Sequence, residues 1–294
     1  MVVGVVGMVR RCWIGLLLLL GSGAVLADSP VWLVERAENK LYLAGTVHLL
    51  SASDLPLPAA FDRAYRQSER VYLETDLGLL QSQATQQRLM QSLYYPPGEQ
   101  LDQYLPEKLQ QRLRRRLEHY GASYERALAM KPAGVMLMLL QLELQRLGIQ
   151  HQGADMIYYQ RARQQGKPLG GLESVDQHLY FISSLGEGRE AEFIDRTLND
   201  VAQVGQQMPA LVAAWRQGDL QRLQHLVIDE MREQYPDIHR QLLTDRNRHW
   251  LPQIEQLLED APVEMVLVGI GHLVGAGGLL QMLSERGYKI SQLP

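Results

Sequence analysis

The chain has 294 residues, 46% of them hydrophobic and 21% charged, with a formal net charge of −4. That balance excludes a basic nucleic-acid-binding protein and a disordered polar chain, and the length is enough to bury a sizeable core. With a single cysteine, Cys12, a disulfide-stapled scaffold is excluded as well.

Residues 1–27 have the make-up of a secretory signal peptide. Arg10 and Arg11 supply positive charge, WIGLLLLLGSGAVL supplies the apolar stretch, and Val25-Leu26-Ala27 forms a small-residue cleavage site. The apolar run is short for a membrane span, which needs ~20 residues. Cleavage after Ala27 removes Cys12 and both arginines, takes the charge from −4 to −6, and leaves one domain over 28–294. A periplasmic or secreted location follows from that reading, because export without disulfides suits a bacterial periplasm. If the segment stayed attached, it would tether the protein to a membrane.

Alternation predicts a hairpin of VWLVER and KLYLAGTV joined by Ala37-Glu38-Asn39. A helix follows over 58–68, then a strand over 70–74 (RVYLE). Residues 77–148 are mostly helical, broken by Pro96-Pro97-Gly98, with a helix over 108–120 and another from Pro132 to Leu147 stopped by Gly148. The basic run 114–116 has acidic neighbours and reads as a solvated helix face. A helix over 155–165 ends at Gly166, and 167–173 (KPLGGLE) is a short strand. The stretch 175–260 is helical, with interruptions near Gly186, Gly218 and Tyr235-Pro236. Residues 263–269 form the most apolar strand, as in a strand buried on both faces. A last helix over 279–286 and an edge strand over 288–293 complete the chain. The fold class is α/β: a small mixed sheet surrounded by many helices.

Four polar residues fall at or just past the carboxyl end of a predicted strand: His48, Glu74, Glu173 and His272. Ligands bind at that edge of open α/β sheets. Two imidazoles and two carboxylates there make a divalent-metal site, for Zn²⁺, Mn²⁺ or Co²⁺, and a carboxylate outside the ligand set would serve as general base. Gly45 and Gly269 each precede a histidine by three residues, where a missing side chain permits close approach. Each piece alone is weak, since a strand-end histidine is more often hydrogen-bonded structure and a strand-end glutamate a solvated residue.

Arg246, Asn247 and Trp250 lie near one helical stripe, so the guanidinium either holds a carboxylate or developing oxyanion, or belongs to a surface pair. GIGHLVGAGG has glycines suited to a phosphate cradle but lacks the Walker lysine and the dinucleotide spacing. His119, His151, His178, His225, His239 and His249 read as surface residues from their polar contexts.

The pieces YLAGTVH, VYLETD, GADMIYYQRARQQGKPLGGLESVDQ, DRNRHW and VLVGIGHLVGAGGLLQMLSERGYKI occur in this order. Together they resemble the TraB/GumN family, which includes PrgY-like proteins and the Tiki metalloproteases. The resemblance implies an internally duplicated α/β fold related to the erythromycin-esterase and ChaN-like group, and a metal-dependent hydrolase of peptide or amide bonds. It implies His48 and His272 as metal ligands, Glu74 and Glu173 as ligand or base, and Arg246 and Asn247 as a polar pair at the site. Asp155 and Gln177 match family positions to which it assigns no role. The competing reading is a non-catalytic periplasmic protein that sequesters a peptide signal or a small ligand such as haem in the same cleft. Neither reading fixes an oligomeric state.

Overall fold

A computed structural model describes residues 29–149, 151–260 and 262–294. The expected signal sequence and its cleavage point lie outside the described residues. Within them, no helix is long and apolar enough to cross a membrane.

Among the described residues eight strands occur: β1 (Val31–Arg36), β2 (Asn39–Thr46), β3 (Leu49–Leu50), β4 (Arg70–Leu73), β5 (His151–Gln152), β6 (Leu169–Gly171), β7 (Glu264–Gly269) and β8 (Lys289–Gln292). Six build one mixed sheet in the order β6-β4-β7-β2-β1-β8, and β3 pairs with β5 alone. β1 and β2 form the expected antiparallel hairpin, with Arg36 opposite Asn39, so Asn39 is strand and the turn is shorter than predicted. β8 is the expected edge strand, antiparallel to β1. β2, β7, β4 and β6 all run parallel, which brings their carboxyl ends to one edge. The two strands that lead into Gly-x-x-His, β2 and β7, are neighbours, with Thr46 opposite Gly269. The pairing alone does not demonstrate an internal repeat.

β7 is central and every residue of it is buried, as its unbroken apolar run requires. The Ala59–Gln67 helix packs on the sheet through Ala60, Phe61, Ala64 and Tyr65, one helical stripe. Phe61 stacks on Tyr158 and meets Trp215. The Asp245–Glu259 helix buries Arg246, Asn247, Trp250, Leu251, Ile254, Leu257 and Leu258. Its polar pair is therefore in phase with its apolar stripe, and the first turn carries charge into the interior. A second core joins the Glu107–His119, Pro132–Arg146 and Glu190–Arg216 helices away from the sheet. The expected breaks appear at Gly186, Gly188 and Gly218, each with positive φ. Arg114 and Arg115 are exposed, so the basic run is a solvated face.

One buried acid lies far from the carboxyl edge. Glu264 opens β7, is fully buried, and neither of its oxygens has a hydrogen-bond partner among the described residues. Burial pushes its carboxyl up to about 7; Arg70, 3.6 Å away, pulls back, while Asp260 and Glu69 add to the rise. An acid with a raised folded pKa stabilises most below its unfolded value near 4.5 and loses that contribution as pH rises through 7. Between about pH 5 and pH 8, wild type should therefore lose about 2 kcal/mol relative to Glu264→Gln. Paired urea titrations check this, and a pH-independent difference between the two proteins refutes it.

Candidate functional site

The parallel register sets the geometry. His48 lies two residues past β2, Glu74 one past β4, Glu173 two past β6, and His272 closes the 3₁₀ turn Ile270–His272 after β7. All four lie at one edge of the sheet: His48, Glu74 and His272 stand around Gly269, and Glu173 joins them through Arg246. A Cβ built on Gly269 would stand 3.3 Å from Glu74 Oε1, 3.4 Å from His48 Nε2 and 3.7 Å from His272 Cδ2. The glycine thus leaves a cradle ringed by two imidazoles and a carboxylate. The Gly269 N–H donates to Glu74 Oε1 at 2.8 Å and fixes that carboxylate in place.

Gly45 does something different. A Cβ there would strike Ile270 Cδ1 at 2.3 Å and Leu273 Cδ1 at 3.1 Å. Its bareness admits the side chains that follow β7, and its carbonyl accepts from the buried Trp215 indole. The close approach expected at both glycines is an approach to the histidines only at Gly269.

Each histidine is oriented through Nδ1. In His48, Nδ1–H donates to Asp155 Oδ2 at 3.0 Å; in His272, Nδ1–H donates to Asn247 Oδ1 at 2.7 Å. These partners orient both rings and turn their Nε2 atoms inward, as second partners of metal-ligating histidines do. Asp155 reaches His48 because β3 pairs with β5, laying residues 153–155 across residues 47–48. Gly153 makes this crossing passable: a Cβ on it would lie 2.3 Å from the Val47 carbonyl oxygen. The Asn247 amide donates to the His272 and Gly277 carbonyls, so it also ties down the glycine-rich loop.

Arg246 runs through the middle of the constellation. Its guanidinium donates to Glu74 Oε2 at 2.6 Å, to Glu173 Oε1 at 2.7 Å and Oε2 at 3.2 Å, and to His272 Nε2 at 3.1 Å. It also lies 4.5 Å from the centre of the Trp250 ring. Glu173 accepts as well from His178 Nδ1 at 2.6 Å and Trp250 Nε1 at 3.1 Å. Both oxygens of that fully buried carboxylate are engaged, and Glu173 serves here as the counter-ion that holds Arg246.

The charges follow from these contacts. Burial opposes ionisation of Glu74, but Arg246, His272, His48 and the Gly269 N–H hold its carboxyl well below the usual range. Glu173 is also held low, against its burial, by His178 and Arg246. Burial pushes His272 down to about 3, with Glu74 opposing and Arg246 reinforcing, so its ring is neutral. Desolvation opposes charge on His48, yet Asp155 and Glu74 raise it to about 9. The His48 side chain is 63% exposed against 5% for His272, which makes it the open side of the site.

Two sets of donors present themselves for a cation. One atom each of Glu74, Glu173 and His178 lies within 4.8 Å of the others, but Arg246 already bridges the two carboxylates and His178 is bonded to Glu173. The set around Gly269 is the alternative, and an ion there would have to displace the Arg246 N–H that His272 Nε2 accepts. Glu74 Oε1 and His272 Nε2 are 3.9 Å apart, a gap that two metal bonds of ~2.1 Å span, and His48 Nε2 is the next donor beside the Gly269 position. Asp155 Oδ1 is buried without a partner among the described residues, beside the same histidine.

His178 is a correction: polar context made it a surface residue, yet it is largely buried against Glu173. It lies five residues after Glu173 on the Val175–Ser183 helix, which turns it back toward the sheet. His239, read the same way, is also buried. Gln177 closes a capping box with Ser174 and touches His249, so it starts that helix and is no part of the cradle.

The profile of the TraB/PrgY/gumN family matches residues 30–292. Metalloprotease TIKI2 of Danio rerio is 24% identical over 322 aligned residues, covering 91% of this chain and 61% of the relative. Metalloprotease TIKI1 of Homo sapiens is 24% identical, covering 91% and 62%. The Metalloprotease TIKI homolog of Nematostella vectensis is 23% identical, covering 90% and 66%. The chain thus spans less than two thirds of the length of these relatives. No solved structure matches it. The profile runs from the first strand to the last and takes in every residue of the cradle, and the chain belongs to the TraB/PrgY/gumN family.

Proposed function

We propose that this protein is a metal-dependent hydrolase of peptide or amide bonds, with a divalent ion held by His48 Nε2, His272 Nε2 and Glu74 Oε1. The observation that carries the reading is the cradle over Gly269, ringed by two imidazoles whose Nδ1 atoms are both tied back. The names of the relatives, metalloproteases, support the same class. Zn²⁺, Mn²⁺ and Co²⁺ all accept this donor set. We also infer export, from the charge and apolar run of residues 10–27.

A bound ion would polarise a carbonyl and lower the pKa of a coordinated water. The chain's own residues supply the rest. Asp155 and Asn247 orient the two rings through Nδ1, and an ion would have to displace the proton that Asp155 and Glu74 favour on His48. Glu74 is too strongly stabilised as an anion to be a good general base, and serves as a ligand. Arg246 provides fixed positive charge beside the cradle, placed to stabilise an oxyanion. Glu173 and His178 position Arg246 from behind.

Metal analysis of the purified protein tests the reading. Wild type should retain about one equivalent of divalent ion after desalting, the His48→Ala, His272→Ala double variant none, and chelators should abolish amide cleavage. An equally metal-free wild type refutes the proposal. Retained metal with no cleavage of any amide would favour the sequestering protein.

A further inference from the structure

The cradle opens into a chamber of about 320 Å³ whose composition is uneven. Its floor is charged, with His48, Glu74 and Arg246; its wall is aliphatic, with Leu77, Leu80 and Ile182 partly buried. The part of these aliphatic side chains that still faces the charged floor is apolar surface left wet. They gain when an apolar group fills the space, the usual make-up of a ligand pocket. At the small end of the range for such pockets, about 300–1,000 Å³, the chamber suits one side chain and its flanking main chain.

The short helix Leu77–Leu80 forms a ridge. Leu77 and Leu80 line the chamber, while Leu79, 58% exposed, lines a wider groove of about 910 Å³ on the other side. That groove mixes apolar walls with Asp76, Arg88, Ser174, Asp176 and Gln177. The ridge is held in place: Asp76 accepts from the Gly78 and Leu79 amides, and a Cβ on Gly78 would strike the Tyr159 hydroxyl at 2.4 Å.

We propose that the chamber is a specificity pocket for one apolar side chain of an extended peptide lying over the Leu77–Leu80 ridge, with polar residues continuing into the groove. The proposal rests on the hydrolase reading for its reacting bond, but the side-chain preference is a property of the wall. Burying one leucine-sized side chain is worth ~1.5–3 kcal/mol, which is about 10- to 150-fold in affinity.

The test compares peptides identical except for Gly, Leu, Phe, Asp or Lys at each position in turn. In wild type, one position should favour Leu or Phe over Gly and Asp by at least about 10-fold in kcat/KM. Ile182→Trp, which fills the chamber, should reverse that preference toward Gly, and Leu80→Lys should shift it toward Asp. Calorimetric binding of the same peptides to Glu74→Gln reads the wall without turnover and should give the same order. Cleavage with no side-chain preference at any position, or a preference unmoved by both wall variants, overturns the pocket and leaves the hydrolase reading standing. If no peptide is cleaved, the hydrolase reading fails and the calorimetry decides the pocket: apolar preference keeps it, none removes it.

Discussion

Replacing Gly269 by alanine is expected to abolish metal binding while leaving the protein folded. The backbone there has φ −53° and ψ 137°, a region open to any residue, so the substitution introduces no backbone strain. Its methyl group lands 3.3–3.7 Å from Glu74 Oε1, His48 Nε2 and His272 Cδ2, inside the volume an ion would take. Loss of an orienting partner outside the ligand shell typically costs 10- to 100-fold in metal affinity; a carbon atom in the cradle should cost at least about 100-fold. Stability should change by less than about 1 kcal/mol, because the reduced freedom of the unfolded chain offsets tighter contacts.

Gly45→Ala should show the opposite pattern. Its methyl group meets Ile270 and Leu273 in the core, and the overpacking should cost about 1–2 kcal/mol with metal affinity near that of wild type. The two glycines occupy the same place in two copies of one short motif, so the pair separates filling of the cradle from a general effect of a methyl group. Titration with Zn²⁺ and urea denaturation of both variants provide the readouts. Full metal affinity in Gly269→Ala would place the ion elsewhere, with the Glu74, Glu173 and His178 group the next candidate.

What was legible in the sequence follows from period and punctuation. β2, β4, β6 and β7 are short apolar runs that each stop before a charged or imidazole side chain, and a sheet in which they run parallel must gather those four at one edge. The roles of Asp155 and His178 were hidden because they depend on contacts without a periodic trace. Asp155 reaches His48 only through the pairing of two-residue strands, too short to show alternation. His178 faces Glu173 only because the loop between them doubles back into a capped helix. Arg246 was ambiguous for a physical reason. Charged residues at the head of an apolar stripe are ordinarily solvated, and what buries this one is the presence of two carboxylates that neither its own helix nor its neighbours in sequence contain.

That burial makes Arg246 the residue whose loss should cost most in stability. Arg246→Met removes the positive charge from between Glu74 and Glu173, with the arginine and glutamate side chains between 0 and 12% exposed. Breaking a buried ion pair from one side costs about 3–5 kcal/mol, more than the pair contributes over an apolar substitute, because the remaining charges stay desolvated. Lysine should not restore the loss, since one ammonium cannot reproduce a fork that contacts both carboxylates and His272. The pH dependence should also change sign. In wild type both carboxyls are held below their ordinary value, so their contribution is present above about pH 4.5 and is lost on acidification. Without Arg246 the two like charges push at least one carboxyl above its ordinary value, and the variant should regain stability as pH falls from about 8 to 5. A second substitution, Glu173→Gln, removes one of the stranded charges and should recover about half of the loss, whereas in wild type Glu173→Gln alone destabilises. Urea denaturation of the four proteins at two pH values measures every term of this cycle. Additive losses, or an Arg246→Met protein as stable as wild type at pH 8, would mean that the carboxylates do not depend on the guanidinium and that Arg246 is present for catalysis alone.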